Sequence, residues 1–178
     1  MEDIDVKSLK PVAAIACALA LASCSAGQIT QTSSQVAAVD GASVFTEDGA
    51  LSVQDVTLIL EENGQAALKF VATNQDTSMK DHTLQSATVD GTPVNLGSSQ
   101  KITYNCVLVG DTASSLERMP QTDSDCTQYV ATSVENKNFA YGGNVPVKFN
   151  FDTGSIEVTA TVSAPIVASG QVDRDPSK

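Results

Sequence analysis

The chain has 178 residues, with 21 acidic and 10 basic side chains and a formal net charge of −11 at pH 7. This sign argues against binding to nucleic acid, whose phosphates require clustered Lys and Arg, and against adsorption to anionic lipid by charge alone. One His and no Trp restrict the possibilities for metal binding and acid–base catalysis.

A short apolar run near the N-terminus predicts an export signal. Lys7 and Lys10 precede residues 12–22, which read V-A-A-I-A-C-A-L-A-L-A. This run is shorter than the about 20 apolar residues that a membrane-spanning helix needs. It leads into L-A-S-C, a match to the lipobox of bacterial lipoproteins, so we expect cleavage between Ser23 and Cys24 and a lipid on the Cys24 thiol. The lipid would hold the protein on the extracytoplasmic face of the plasma membrane.

The segment that follows the lipobox predicts a tether. It reads C-S-A-G-Q-I-T-Q-T-S-S-Q-V-A-A, small and polar and without charge, as in flexible linkers. We therefore divide the chain into a signal peptide (residues 1–23), a lipid-anchored tether (24–44), a folded domain (45–165) and a flexible C-terminal tail (166–178).

The body of the chain alternates apolar and polar side chains with the period of two that is typical of β-strands. Turn signals separate the runs, among them Asn63-Gly64, Asp90-Gly91 and the triplet Asp152-Thr153-Gly154. No segment shows sustained helical periodicity. The runs predict an all-β domain, an immunoglobulin- or cupredoxin-like two-sheet sandwich. The predicted strands cover residues 56–60, 68–73, 83–89, 93–96, 101–109, 127–134, 145–151 and 156–162.

Two cysteines remain in the predicted domain, Cys106 and Cys126. In an exported protein such a pair is most simply a disulfide, here one that staples the polar loop of residues 111–125. The competing interpretation is a metal site, but two thiols and one His fall short of a closed tetrahedral set.

His82 lies in K-D-H-T close to Met79, and it has two interpretations. Together with Met79 it could bind copper, although the distant Met119 adds little to a soft-metal site. The favoured alternative is an exposed His in a turn. Any Ser–His–Asp or Cys–His enzyme would need this same residue as its base, and no G-x-S-x-G elbow is present.

Other polar groups have simple interpretations. Ser98-x-x-Lys101 matches a serine–lysine pattern without its partner motifs, and Gly142-Gly143 is typical of a turn. The acidic side chains of the loop could gather a hard cation, but the spacing of a calcium loop is absent, which favours a solvated loop. The acidic side chains of this loop are those of Asp111, Glu117, Asp123 and Asp125. We predict no catalytic residue, metal ligand or cofactor.

Residues 24–41, C-S-A-G-Q-I-T-Q-T-S-S-Q-V-A-A-V-D-G, resemble the start of the mature LpqE lipoproteins of mycobacteria and corynebacteria. Residues 146–158, P-V-K-F-N-F-D-T-G-S-I-E-V, resemble the last hairpin of PCuAC-type copper chaperones, which are cupredoxin-like sandwiches. Where those chaperones carry a His-rich ligand segment, residues 94–100 read V-N-L-G-S-S-Q.

The resemblances imply an actinobacterial envelope lipoprotein, and three functions follow as hypotheses. The first is a non-catalytic interaction or accessory module that binds an envelope protein of unknown identity. The second is metal handling by a degenerate copper chaperone. The third, an envelope hydrolase, is least favoured because the sequence offers one His.

Overall fold

A computed structural model describes residues 41–98, 100–122 and 124–165, all within one compact unit. The predicted signal peptide, the lipidation site Cys24, the cleavage site at Ser23 and the predicted C-terminal tail lie outside the described residues.

The described part of the chain is built almost entirely from β-strands, with one short helix. The elements are β1 (Ala42–Phe45), β2 (Leu51–Leu60), β3 (Ala66–Asn74), β4 (His82–Val89), β5 (Thr92–Asn95), β6 (Gln100–Ile102), β7 (Val107–Asp111), α1 (Ala113–Arg118), β8 (Thr127–Ala131), β9 (Ser133–Val134), β10 (Asn144–Phe151) and β11 (Gly154–Ser163). The described residues contain no helix long and apolar enough to cross a membrane. The predicted all-β class is confirmed.

The strands form one hydrogen-bonded sheet that closes on itself. β2 pairs antiparallel with β1 and β3 and parallel with β11. From β3 the sheet continues through β9, β5, β4, β10 and β11 back to β2. β7 and β8 extend from β3, and β6 pairs with β4. The closed path gives the strands a common interior, which apolar side chains fill.

The core is aliphatic, with one aromatic contact at its centre. The rings of Phe70 and Phe149 meet edge to face, with centroids 5.1 Å apart. Gly110 lies against the Phe70 ring so closely that a Cβ would overlap it, which explains a glycine within β7. The other large side chains that are fully buried are Leu51, Leu58, Leu68, Leu84, Ile102, Leu108, Val53, Val56, Val89 and Val147.

Tight turns occur where dipeptide signals predict them. Gly64 has φ +81°, and Asp90 and Gly91 both have positive φ, as turns that join antiparallel strands require. Asp152 and Thr153 connect β10 to β11, with Phe151 opposite Gly154. Gly142 and Gly143 also lie in a turn, so that prediction is confirmed.

Several boundaries differ from the prediction. β2 begins at Leu51 rather than at Val56, and the predicted strand of residues 127–134 is divided at Thr132 into β8 and β9. The run of residues 101–109 is not one strand, because residues 103–106 turn away between β6 and β7. The polar loop contains α1, whose N-terminus is capped by the Thr112 side chain accepting from Ser115 N–H. β1 begins at Ala42, inside the segment assigned to the tether, because Ala42 and Val44 pack against the core.

Candidate functional site

Four strand connections meet at one end of the domain, which we call the loop end. They are residues 46–50, 75–81, 103–106 and 152–153. Backbone hydrogen bonds link them to each other and to the adjoining strand ends: Gln75 N–H donates to Ala50 O (2.7 Å), Asn105 N–H to Asn74 O (2.8 Å) at the end of β3, and Asp152 N–H to Thr83 O (3.0 Å) in β4. The loop end is therefore a connected surface.

A cleft of about 520 Å³ opens in the loop end. Its walls come from the first, second and fourth of these connections, and its polar lining carries more carboxylates than cations. This composition suits a basic group. The charged and polar lining residues are Thr46, Glu47, Asp48, Asp76, Ser78, Lys80, His82 and Thr153.

Asn74 braces the loop end from inside the protein. Its fully buried side-chain amide donates to Lys80 O (2.8 Å) and Ile102 O (2.9 Å), and its Oδ1 accepts from Asp76 N–H (3.1 Å). A buried amide with these bonds ties the connection of residues 75–81 to the end of β6. The sequence analysis missed Asn74, although its place in the inward-facing set that includes Phe70 was a usable signal.

His82 is not an exposed turn residue, so the favoured interpretation of the sequence was wrong. It is the first residue of β4, and only 5% of its surface is accessible. Its Nε2 lies 3.0 Å from Asp76 Oδ2, and its Nδ1 lies 3.3 Å from Asp152 Oδ1. The burial follows from pairing of His82 with Ile102 on β6, which the sequence pattern did not reveal.

Three carboxylates of the loop end, those of Asp48, Asp76 and Asp81, have lowered pKa values. The pKa of Asp76 falls because Ser78 N–H, and after it His82, donates to the ionised group. Lys101 and Tyr104 N–H lower the pKa of Asp81. At neutral pH the cleft therefore carries negative charge.

Large apolar side chains are exposed around this surface. Met79 is 71% exposed and Phe45 59% exposed, while Tyr104 stands beside Asp81, whose carboxylate accepts its N–H. Met79 has φ +58°, an unusual conformation for a residue other than glycine, and sparsely populated conformations are often found at functional sites.

The predicted disulfide is present: Cys106 and Cys126 are joined. The bridge lies beside the loop end, because Cys106 O accepts from Asn74 N–H at 3.1 Å. Val107 N–H donates to Cys126 O at 2.9 Å, where the parallel strands β7 and β8 begin. The two thiols are therefore bonded to each other and are not available as metal ligands.

The other predicted candidates do not gather into a site. The Lys101 ammonium lies 2.7 Å from Asp81, and Ser98 is exposed in the preceding turn. Asp111 is buried at the end of β7, so its assignment to a solvated acidic loop was wrong. Glu117 is exposed on α1, and Asp123 lies outside the described residues.

Among the residues that the structure describes, no group of three His, Cys, Asp or Glu side chains is placed to hold a metal ion. Both ring nitrogens of His82 face carboxylates rather than a serine or a thiol. The geometry around this residue is that of a buried ion-pair cluster.

A second groove, of about 640 Å³, lies between β1 and the β10–β11 hairpin. Ala42, Val44 and Val158 give it an apolar lining, and its charged pair is Lys148 with Glu157, 2.8 Å apart. This groove has fewer charged side chains in its lining than the loop-end cleft has. We therefore take the loop end as the candidate site.

No protein-family model matches this chain, and no curated protein matches it significantly. The function proposed below therefore rests on the sequence and on the geometry of the site.

Proposed function

We propose that this protein is a lipid-anchored module of the bacterial cell envelope that binds another envelope protein through its loop end and performs no catalysis. The observation that carries the proposal is the loop end itself. Its connections carry the exposed side chains of Met79 and Tyr104, the exposed Phe45 directly precedes the first connection, and the same surface contains an acidic cleft.

This arrangement suits binding to a protein. Tyr and Met are enriched at protein interfaces, and a preorganised surface loses little conformational entropy when a partner binds. Asn74 and the Cys106–Cys126 bridge hold the surface from behind. The carboxylates of the cleft complement a basic group on the partner, which would speed association and make binding sensitive to salt.

The same geometry supports a role without catalysis. The one His of the chain has Asp76 and Asp152 at its two ring nitrogens, so neither nitrogen is placed to activate a nucleophile.

The proposed anchor rests on L-A-S-C and would tether the domain through Cys24. A flexible tether of the predicted kind, with 17 residues from Cys24 to residue 40, would have a reach of roughly 23 Å r.m.s.. This reach confines the loop end near the membrane, which raises its effective concentration for membrane-associated partners. A weak interface is then sufficient.

We infer that the closed sheet is organised as two facing layers of the immunoglobulin or cupredoxin type. The contact of Phe70 on β3 with Phe149 on β10 supports this, because these strands are not hydrogen-bonded neighbours. Kinship with the LpqE lipoproteins, and the more distant one with copper chaperones, rests on the residues quoted above. Copper handling is the competing function.

The test is capture of a partner from detergent-solubilised envelopes by the anchored protein. Met79→Glu and Tyr104→Glu should each reduce capture about tenfold, as loss of an interface anchor does, and added salt should weaken it. Tyr141→Glu is the matched control. Tyr141 is 56% exposed, but its hydroxyl donates to Leu60 O at the far end of β2.

Equal capture by all three variants would contradict binding at the loop end. Turnover of an envelope substrate by the pure protein would contradict a role without catalysis. Stoichiometric, tight Cu(I) binding that His82→Ala abolishes would favour metal handling instead.

A further inference from the structure

His82 is a buried group whose bonding depends on a proton. Its Nε2 is hydrogen-bonded to Asp76 Oδ2 at 3.0 Å. Its Nδ1 faces Asp152 Oδ1 at 3.3 Å, is shielded from solvent and has no hydrogen-bond partner. The ring thus lies between carboxylates from two connections, but the structure gives it one hydrogen bond.

A neutral imidazole carries one N–H, and an imidazolium carries two. The bonded contact to Asp76 accounts for the first N–H. When the ring is neutral, the contact of Nδ1 with Asp152 at 3.3 Å carries no ion-pair attraction. When the ring is protonated, the same contact becomes an ion pair between the imidazolium and the Asp152 carboxylate.

We propose that His82 is a proton-operated latch: uptake of one proton by its ring ties the β10–β11 turn to the β3–β4 connection beneath the loop-end cleft. The latch regulates the surface proposed above to bind a partner, and its biological use rests on that function. Its operation is a property of the protein alone.

The latch acts on a wall of the cleft through Asp152. Asp152 Oδ1 also accepts from Thr83 N–H at 3.0 Å, and Asp152 N–H donates to Thr83 O at 3.0 Å. The next residue, Thr153, lines the cleft. Closing the latch therefore adds an ion pair to the two hydrogen bonds that hold this turn against Thr83, and opening the latch leaves the hydrogen bonds alone.

Several charged groups surround the ring. Asp76 stays ionised while a His titrates, because Ser78 N–H and His82 itself hold the pKa of Asp76 below its ordinary range. Lys101 is paired with Asp81. The charged groups of the elements around His82 are Glu47 and Asp48 of the first connection, Asp76, Lys80 and Asp81 of the second, Lys101 of β6, and Asp152 of the turn.

The experiment is NMR of the full mature chain in detergent at about pH 5.5 and about pH 8, on either side of the usual imidazole titration. Ring nitrogen shifts of the sole His report its protonation. Exchange of the Thr83 and Asp152 amides, corrected for intrinsic rates, reports the turn. We expect protection to rise about fivefold at the lower pH, because the ion pair adds to the hydrogen bonds that already hold the turn.

Asp152→Asn keeps an acceptor for Thr83 N–H but removes the charge, so the step in protection should shrink to about twofold or less. His82→Gln should remove the step. Asp81→Asn is the matched control, with the same change of charge near the ring but no contact with it, and it should keep the step.

Three results would overturn the latch. The ring could keep one protonation state across the range. It could titrate while both amides keep constant protection. The step could also survive in Asp152→Asn or His82→Gln. Capture of the partner is measured separately. A latch that works without any captured partner would count against the proposed function alone, and a captured partner without a working latch would count against the latch alone.

Discussion

Single residues at the loop end show how burial converts ordinary polar groups into structural ones. Asn74 and His82 are both buried, and each connects parts of the chain that are distant in sequence. Such groups stabilise a fold only when their partners are complete, because an unpaired buried polar atom costs about 1–3 kcal/mol. Asn74 meets this condition fully, whereas Nδ1 of His82 does not, and this difference motivates the latch.

Asp111 is a second buried titratable group, and it gives a prediction at the residue scale. Burial raises its pKa, although Thr112 N–H donates to its Oδ1 at 2.7 Å. The folded state therefore binds a proton more tightly than the unfolded chain, so stability falls as pH rises from the ordinary Asp pKa to the raised one and stays lower above it.

Asp111→Asn keeps the acceptor and removes the charge. At neutral pH we expect its thermal midpoint to rise by about 3 °C, which corresponds to roughly 1 kcal/mol in a domain of this size. The gain should disappear in acid, where the Asp of the wild type is protonated. Asp125→Asn, a change of an exposed residue, is the control. A midpoint below that of the wild type at neutral pH would contradict this account.

At the scale of elements, local signals were sufficient for hairpins but not for long-range pairing. Asn63-Gly64 and Asp90-Gly91 fix turns by their own conformational preferences, so the strands beside them were predictable. Residues 101–106 alternate polar and apolar side chains and lead directly into the apolar residues 107–109, so nothing in the pattern indicates a turn. The turn there depends on Asn105, which has φ +58° and donates its N–H to Asn74 on β3.

The candidate site was predictable only in part for the same reason. His82 and Met79 stood out as residue types, and Cys106 and Cys126 as a pair. Asp76 and Asp152, which define the surroundings of His82, come from different connections and carry no signal of their own. Their proximity is a product of the closed sheet, which brings the β10–β11 turn beside the start of β4.

The disulfide gives a prediction at the scale of elements. Cys106 and Cys126 are separated by 20 positions, and the bridge encloses α1 and the loop around it. Its reduction should lower the free energy of unfolding by roughly 3 kcal/mol, since the unfolded chain gains freedom. Denaturant unfolding with and without reductant measures this. A Cys106→Ser, Cys126→Ser double variant should not respond to reductant, and an unchanged wild-type midpoint would contradict a stabilising bridge.

At the scale of the whole molecule, the proposal joins two parts with different physical roles. The domain supplies a preorganised surface whose carboxylates and exposed Met79 and Tyr104 favour protein binding. The proposed lipid supplies location, which adds affinity without adding contacts. A weak, salt-sensitive interface is therefore consistent with function if the anchor is present, and inadequate if it is absent.

The anchor prediction follows from this coupling. Cys24→Ser should prevent lipidation, so the protein should remain unprocessed or appear in the medium and should not incorporate labelled fatty acid. Replacing residues 1–24 by a cleavable signal without a lipobox should release a soluble domain with an intact loop end. Because confinement raises effective concentration, the soluble domain should complement a deletion of the gene poorly at matched abundance.

The anchored Tyr141→Glu variant is the control for complementation, and it should complement fully. Full complementation by the soluble form would show that tethering is dispensable, and lipid labelling of Cys24→Ser would show that the lipobox assignment is wrong.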